Sequence, residues 1–92
     1  MAFKYDFSDQ LEQTLAKLAK KDKKTYEMLL KKIEDIAGPD EFLIEHYKNL
    51  KHNLSDYKRV HIAKSFVLLF KVYKKEKFIL FDRFDHHDNI YQ

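Results

Sequence analysis

The sequence has no cysteine, one glycine and one proline in 92 residues. The lack of cysteine excludes disulfide staples, thiolate metal ligands and thiol nucleophiles. It also suits a reducing compartment such as the cytoplasm. The lone glycine, Gly38, excludes glycine-rich phosphate loops. No apolar run approaches the ~20 residues of a transmembrane helix. The start MAFKYDFSD has no basic flank followed by an apolar stretch, so neither a signal peptide nor a membrane partner is expected. No spacing among the five histidines resembles a zinc signature, so neither a metal nor another cofactor is expected. The length allows one domain, taken as residues 1–92. What is plentiful is core material: 45% of the residues are apolar, including eight Phe and six Tyr.

The net charge of +3 is unevenly spread. Residues 1–50 carry nine lysines, no arginine and ten acids; residues 51–92 carry seven lysines, two arginines and five acids. Four of the five histidines (His52, His61, His86 and His87) also fall in the second part. A basic, histidine-bearing half points to an anionic partner.

The pattern predicts an α+β domain. FKYDF (3–7) alternates as a short strand does. Ser8 can cap a helix, with Asp9 and Glu12 near its positive end. Phe7, Leu11, Leu15 and Leu18 make one stripe. Asp22 can cap a second helix whose stripe is Tyr26, Leu29, Leu30, Ile33, Ile36 and Ala37. Gly38-Pro39 should end it through a left-handed glycine followed by a helix breaker. Residues 40–56 show no clean period and read as a connector pinned by Tyr47, Leu50 and Leu54. The period then becomes two. Strands are expected at 57–63, 66–73 and 78–84, with KKEK as a turn, forming an antiparallel meander. The expected order is β-α-α-β-β-β, with the helical hairpin on one face of a small antiparallel sheet and the N-terminal strand beside the meander. The other face is left partly open. The chain ends in a polar tail, DHHDNIYQ.

Candidate chemistry gathers on that open face. Adjacent His86 and His87 should point opposite ways, so they cannot readily chelate one metal. One reading makes them solvated tail residues; another makes one of them a proton shuttle. His61, opposite in facing to Val60 and Ile62, shares its face with Tyr57 and Arg59. Lys48, Lys51, Lys58, Arg59, Lys64 and Arg83 are candidate phosphate contacts. Tyr91 either stacks on an unpaired base or anchors the tail to the sheet. Such a set suits RNA cleavage without metal and equally suits nucleic-acid binding alone.

Several motifs in order resemble the RelE/ParE toxin superfamily, and within it the YafQ-like branch. They are F-S-x-x-L-x-x-x-L-x-K-L (Phe7 to Leu18), Tyr47-Lys48-Asn49-Leu50, Tyr57 to Ile62, VLLFKV, FDRF (Phe81 to Phe84) and His87-x-x-x-Tyr91. The resemblance implies the toxin of a type II toxin–antitoxin system that enters the ribosomal decoding site and cuts mRNA. It implies an antitoxin partner as well as the ribosome and mRNA. It makes His61 and His87 catalytic, with Tyr91 supporting the cleaved nucleotide or proton transfer, and Arg83 binding phosphate.

Two positions depart from the branch pattern. Lys48 stands in place of a histidine, with His46 two residues away, and Ser65 stands in place of an aspartate. Two other readings of the same fold are a non-enzymatic gyrase inhibitor of the ParE type and a ribosome- or RNA-binding relative that has lost cleavage.

Overall fold

In the computed structural model, which describes residues 3–38 and 57–90, seven elements follow one another. They are β1 (Lys4–Phe7), α1 (Asp9–Lys21), α2 (Lys23–Ile36), β2 (Lys58–Ile62), β3 (Phe66–Tyr73), β4 (Phe78–His86) and α3 (His87–Ile90). The expected α+β order is present, with a short third helix after it. The connector at 40–56, with Tyr47, Leu50 and Leu54 as its anchors, lies outside the described residues. No helix among the described residues is long and apolar enough to cross a membrane.

The helical hairpin is built from caps. Ser8 accepts the Leu11 N–H at 3.1 Å and opens α1. Asp9 and Glu12 occupy the first turn and Lys20 and Lys21 the last, as the helix dipole favours. Asp22 serves both helices. Its N–H donates to the Leu18 carbonyl at 2.8 Å, and its carboxylate accepts the Thr25 N–H at 3.2 Å. The Thr25 side chain and N–H hold the Asp22 carboxyl below its ordinary range. A one-residue link thus closes one helix and opens the next.

The end of α2 differs from expectation, because Gly38 does not take a positive φ. Instead the Ala37 N–H reaches the Ile33 carbonyl at 3.0 Å, and the Gly38 N–H reaches the Asp35 carbonyl at 3.3 Å, which tightens the last turn. A Cβ at position 38 would lie 3.2 Å from the Glu34 carbonyl oxygen. Close approach to the helix end, not left-handed geometry, is what favours glycine here.

The strand order is β1-β4-β3-β2. Strands β2, β3 and β4 form the antiparallel meander, while β1 joins β4 in parallel, from Lys4 opposite Phe78 to Phe7 opposite Phe81. The sheet is therefore mixed, with one parallel edge. The β3–β4 register slips between Leu69, opposite Arg83, and Phe70, opposite Phe81. Asp82 is the extra residue, a β-bulge. Ser8 sits on it: its N–H donates to the Phe81 carbonyl and its hydroxyl to the Asp82 carbonyl. The bulge resets the alternation of β4. Before it Ile79 and Phe81 face the helices; after it Phe84 does.

The main core lies between helices and sheet. Leu11, Leu29, Ile36, Phe70, Ile79 and Phe81 are fully covered, and each contributes about 2–3 kcal/mol of burial. Strand β3 is nearly all apolar because both of its faces are covered. Leu68 and Phe70 belong to the main core, whereas Val67 and Leu69 form a second cluster with Ile90 and half-buried Tyr57 on the opposite face. The polar tail expected after residue 84 is therefore corrected through residue 90. Strand β4 runs on to His86, and α3 folds over the sheet because Ile90 buries against Val67 and Leu69.

Candidate active site on the open sheet face

Cross-strand pairing sets two rows of residues on the face away from the helices. Arg59, Leu69 and Arg83 form one row; His61, Val67 and Asp85 form the next. The bulge is what turns Arg83 and Asp85 to this face, since unbroken alternation from Phe81 would aim Arg83 at the core. Tyr57 shares the face, with Lys71 Nζ 4.9 Å from the centroid of its ring. Lys58 does not: it pairs with buried Phe70 on the helix side.

Helix α3 brings in the last element. The His87 N–H donates to the Ser65 carbonyl at 2.7 Å, tying α3 to the β2–β3 turn. Asp85 holds the helix from the sheet, because its carboxylate accepts Asn89 Nδ2 at 2.9 Å, the His86 N–H at 2.7 Å and an Arg83 guanidinium nitrogen at 3.1 Å. The Asn89 bond is the leading reason that the Asp85 carboxyl lies below its ordinary range; partial burial opposes it, and the His86 N–H and Arg83 reinforce it. The same Arg83 nitrogen lies 3.5 Å from the Asn89 carbonyl. Arg83 Nε is buried and has no hydrogen-bond partner among the described residues. The side chain as a whole remains about one-third exposed, so the exposed part of the guanidinium can meet an anionic ligand.

The two histidines split as expected of neighbours. The His86 ring meets Phe66 edge-on at 5.8 Å, towards the stacked pair of Phe66 and Phe84. The His87 ring stacks on His61, with centroids 5.9 Å apart and planes 28° apart. Asp88 follows, with one carboxylate oxygen 3.7 Å from His86 Nδ1 and the other 3.6 Å from His87 Nδ1. His61 and His87 are both solvent-accessible. The face thus joins two accessible imidazoles, the two arginines of the second half and a carboxylate. This set can move protons and neutralise a phosphate.

Of the residues singled out in the sequence, His61, His87, Arg59 and Arg83 come together on one face. His46, Lys48 and Tyr91 lie outside the described residues. Sequence reasoning missed Asp85, Asn89 and Asp88. The only signal was a cluster of short polar side chains, Asp85, Asp88 and Asn89, around the histidine pair, inside a segment that read as a tail. Ser65, where the branch pattern has an aspartate, contributes its backbone carbonyl. Among the described residues no group of three or more His, Cys, Asp or Glu is arranged to hold a metal ion. At the far end of the strands Lys4, Tyr73, Glu76, Phe78 and Leu80 line an open groove of about 430 Å³ that contains none of these residues.

No family model matches the chain. A candidate toxin named RelE4 from Methanocaldococcus jannaschii is 48% identical over 90 residues, which is 98% of this chain and 92% of that protein. A chain of the RelBE2 toxin–antitoxin complex of Mycobacterium tuberculosis superposes with a TM-score of 0.67 at 17% identity, covering 94% of this chain and 99% of that one. A chain of the DinJ–YafQ toxin–antitoxin complex of Escherichia coli gives 0.63 at 18% identity, with both chains covered in full. The two solved structures speak for the fold, and the 48% relative speaks for the family.

Proposed function

The chain belongs to the RelE family of toxins from toxin–antitoxin systems, and from that premise we propose that it is an endoribonuclease that cuts mRNA on the ribosome without a metal. Its partners in this reading are an antitoxin that blocks it, the small ribosomal subunit and mRNA, and it works in the cytoplasm, where translation occurs. Residues 1–92 make up one toxin domain.

The observation that carries the reading is the stacked pair of His61 and His87, flanked by Arg59 and Arg83. Cleavage through the ribose 2′-hydroxyl needs a base, an acid and cations. His61 takes the proton from the 2′-hydroxyl, and that oxygen attacks the adjacent phosphorus. The P–O5′ bond breaks, and His87 gives a proton to the leaving 5′-oxygen. The products are a 2′,3′-cyclic phosphate and a 5′-hydroxyl. Arg83, through the exposed part of its guanidinium, and Arg59 neutralise the charge that builds on the phosphorane. Lys48, His46 and Tyr91 belong to the reading through the family resemblance, as phosphate contacts and as support for the cleaved nucleotide.

The test is a purified translation system programmed with one mRNA and supplied with purified toxin. The expected result is cleavage of ribosome-bound mRNA, leaving 2′,3′-cyclic phosphate ends, and loss of cleavage in His87→Ala. If ribosomes bind the protein and the mRNA stays intact, the enzymatic reading fails.

A further inference from the structure

We propose that the open sheet face beyond the two arginines is a docking track for single-stranded RNA, in which the Tyr73 and Phe78 rings stack on an unpaired base and Lys71, held over the Tyr57 ring, takes a phosphate. The inference rests on the ribonuclease reading for the identity of that RNA, an mRNA segment flanking the cut.

Alternation and register place these residues on the face of the candidate site. On β3, Val67 and Leu69 lie on the side away from the helices, so Lys71 and Tyr73 follow them there, while Leu68, Phe70 and Val72 turn to the main core. On β4, Ile79 and Phe81 belong to the core. Leu80 and Phe78 therefore stand on the open face, opposite Lys71 and Tyr73. Strand β1 adds Lys4 beside Phe78. The groove of about 430 Å³ lined by Lys4, Tyr73, Glu76, Phe78 and Leu80 thus continues the surface that bears His61 and Arg59. Tyr57 joins the two parts, two positions before Arg59 and under Lys71 Nζ. Tyr73 lies beyond Val67, the partner of His61, by about 20 Å of strand.

The chemistry of the track fits RNA. The Tyr73 and Phe78 ring centroids are 6.0 Å apart with planes 38° apart, and Tyr73 is 41% exposed. Aromatic rings open to water on a sheet suit unpaired bases, because every base has a π-face. The Lys71 ammonium sits 4.9 Å from the Tyr57 ring centroid, and this cation–π contact holds a long side chain over the sheet. Residues 71–78 carry four lysines against one acid, Glu76, and Lys4 lies across the groove. The other nearby acid, Asp6, stands opposite Leu80 and accepts the Phe7 N–H at 2.8 Å. The basic charge selects an anionic partner, and the rings on the same face as Arg59 and Arg83 select a nucleic acid over an acidic peptide.

The test titrates the full chain, labelled with ¹³C and ¹⁵N, with a short oligoadenylate and a short oligouridylate. Both are 2′-O-methylated, so neither can be cut through that oxygen. The ring signals of Tyr73 and Phe78 and the Lys71 side-chain signals should move. Tyr73→Ala should weaken binding by about 5–150-fold, and Tyr73→Phe, which keeps the ring, should restore it. Lys71→Gln leaves the ring pair of the hairpin in place, so it carries the test if Tyr73→Ala fails to fold; it should weaken binding and lessen its salt dependence. On ribosomes both weakened variants should raise KM more than they lower kcat. If neither oligonucleotide moves the Tyr73 and Phe78 signals, or if a folded Tyr73→Ala or Lys71→Gln binds as the wild type does, the proposal is overturned. If a short peptide of alternating Glu and Leu moves those signals and RNA does not, the face docks a protein and the proposal is likewise overturned. Wild type that cuts mRNA while the groove signals stay still leaves the ribonuclease reading standing without the track. Wild type that binds RNA in the groove and cuts none leaves the track standing without the ribonuclease reading.

Discussion

His61 and His87 stack at 5.9 Å although one lies in mid-strand and the other opens a four-residue helix. If the first is the base and the second the acid, they act as one unit. His61→Ala and His87→Ala should each lower ribosomal mRNA cleavage by about 10²–10⁴-fold. The double variant should be scarcely slower than the worse single one, because groups that act together are not additive. Single-turnover cleavage of one bound mRNA measures this; strictly multiplicative losses would separate the two roles.

Arg83 should matter more for the transition state than for folding. Arg83→Lys keeps the charge but loses the planar fork and the buried Nε. It should cut kcat by about 10-fold or more while the unfolding midpoint moves little. Urea unfolding measured beside cleavage rates separates the two effects.

Asp85 makes α3 sensitive to acid. Its carboxyl is held below the ordinary value in the folded protein. The stabilisation is therefore complete above about pH 4, the unfolded value, and fades as pH falls through the folded value. The Ile90 methyl signals should shift toward solvent-exposed values in that acid range, before the sheet unfolds. Asp85→Asn should abolish this pH dependence and release α3 at every pH.

Ser8 joins two features that each need it. Ser8→Ala removes the cap of α1 and the hydroxyl bond to the bulge carbonyl at Asp82. A loss of about 1–2 kcal/mol in denaturant unfolding is expected. Amide exchange at Asp82 and Arg83 should rise more than at Leu68, because the bulge loses its clamp.

A chain with one glycine must place other residues where glycine would be easier. Ala63 in the β2–β3 turn and Lys77 in the β3–β4 turn both have positive φ, 56° and 50°. Ala63→Gly relieves about 1–2 kcal/mol of local strain and gives part of it back as unfolded-state entropy. A net gain of up to about 1 kcal/mol should appear as a higher thermal midpoint.

The sequence reveals elements better than it reveals phase. The helical hairpin was legible because Ser8, Asp22 and the two stripes agree at every level, and β3 was legible as an apolar run. Gly38 was misread because a glycine after a helix fits two geometries, and only the nearby Glu34 carbonyl separates them. In β4 the apolar spacing from Ile79 to Phe81 to Phe84 carried the bulge, but a three-residue step also fits a strand ending in a loop. The face of Arg83 depends on that step. The end of the chain was read as a tail because only Ile90 among residues 85–90 is apolar. Its burial depends on Val67 and Leu69, about twenty residues away in sequence, which no local pattern can report. His61 and His87 were found as residues, and their stacking needed both the bulge and α3.

The pairing of β1 with β4 has a consequence for how the chain folds. Lys4 lies opposite Phe78, and Ser8 bonds to Asp82 across 74 positions. The first strand therefore has no sheet partner until the last strand is in place. Contacts so distant in sequence slow folding, because loop closure comes before the contacts that reward it. The meander β2–β3–β4 can form early from local turns, and β1 with the start of α1 docks afterwards. That docking sets the Ser8 clamp on the bulge, and the bulge in turn aims Arg83. The site should thus mature in the last folding step, and refolding followed in time should show native sheet signal before the first RNA is cut.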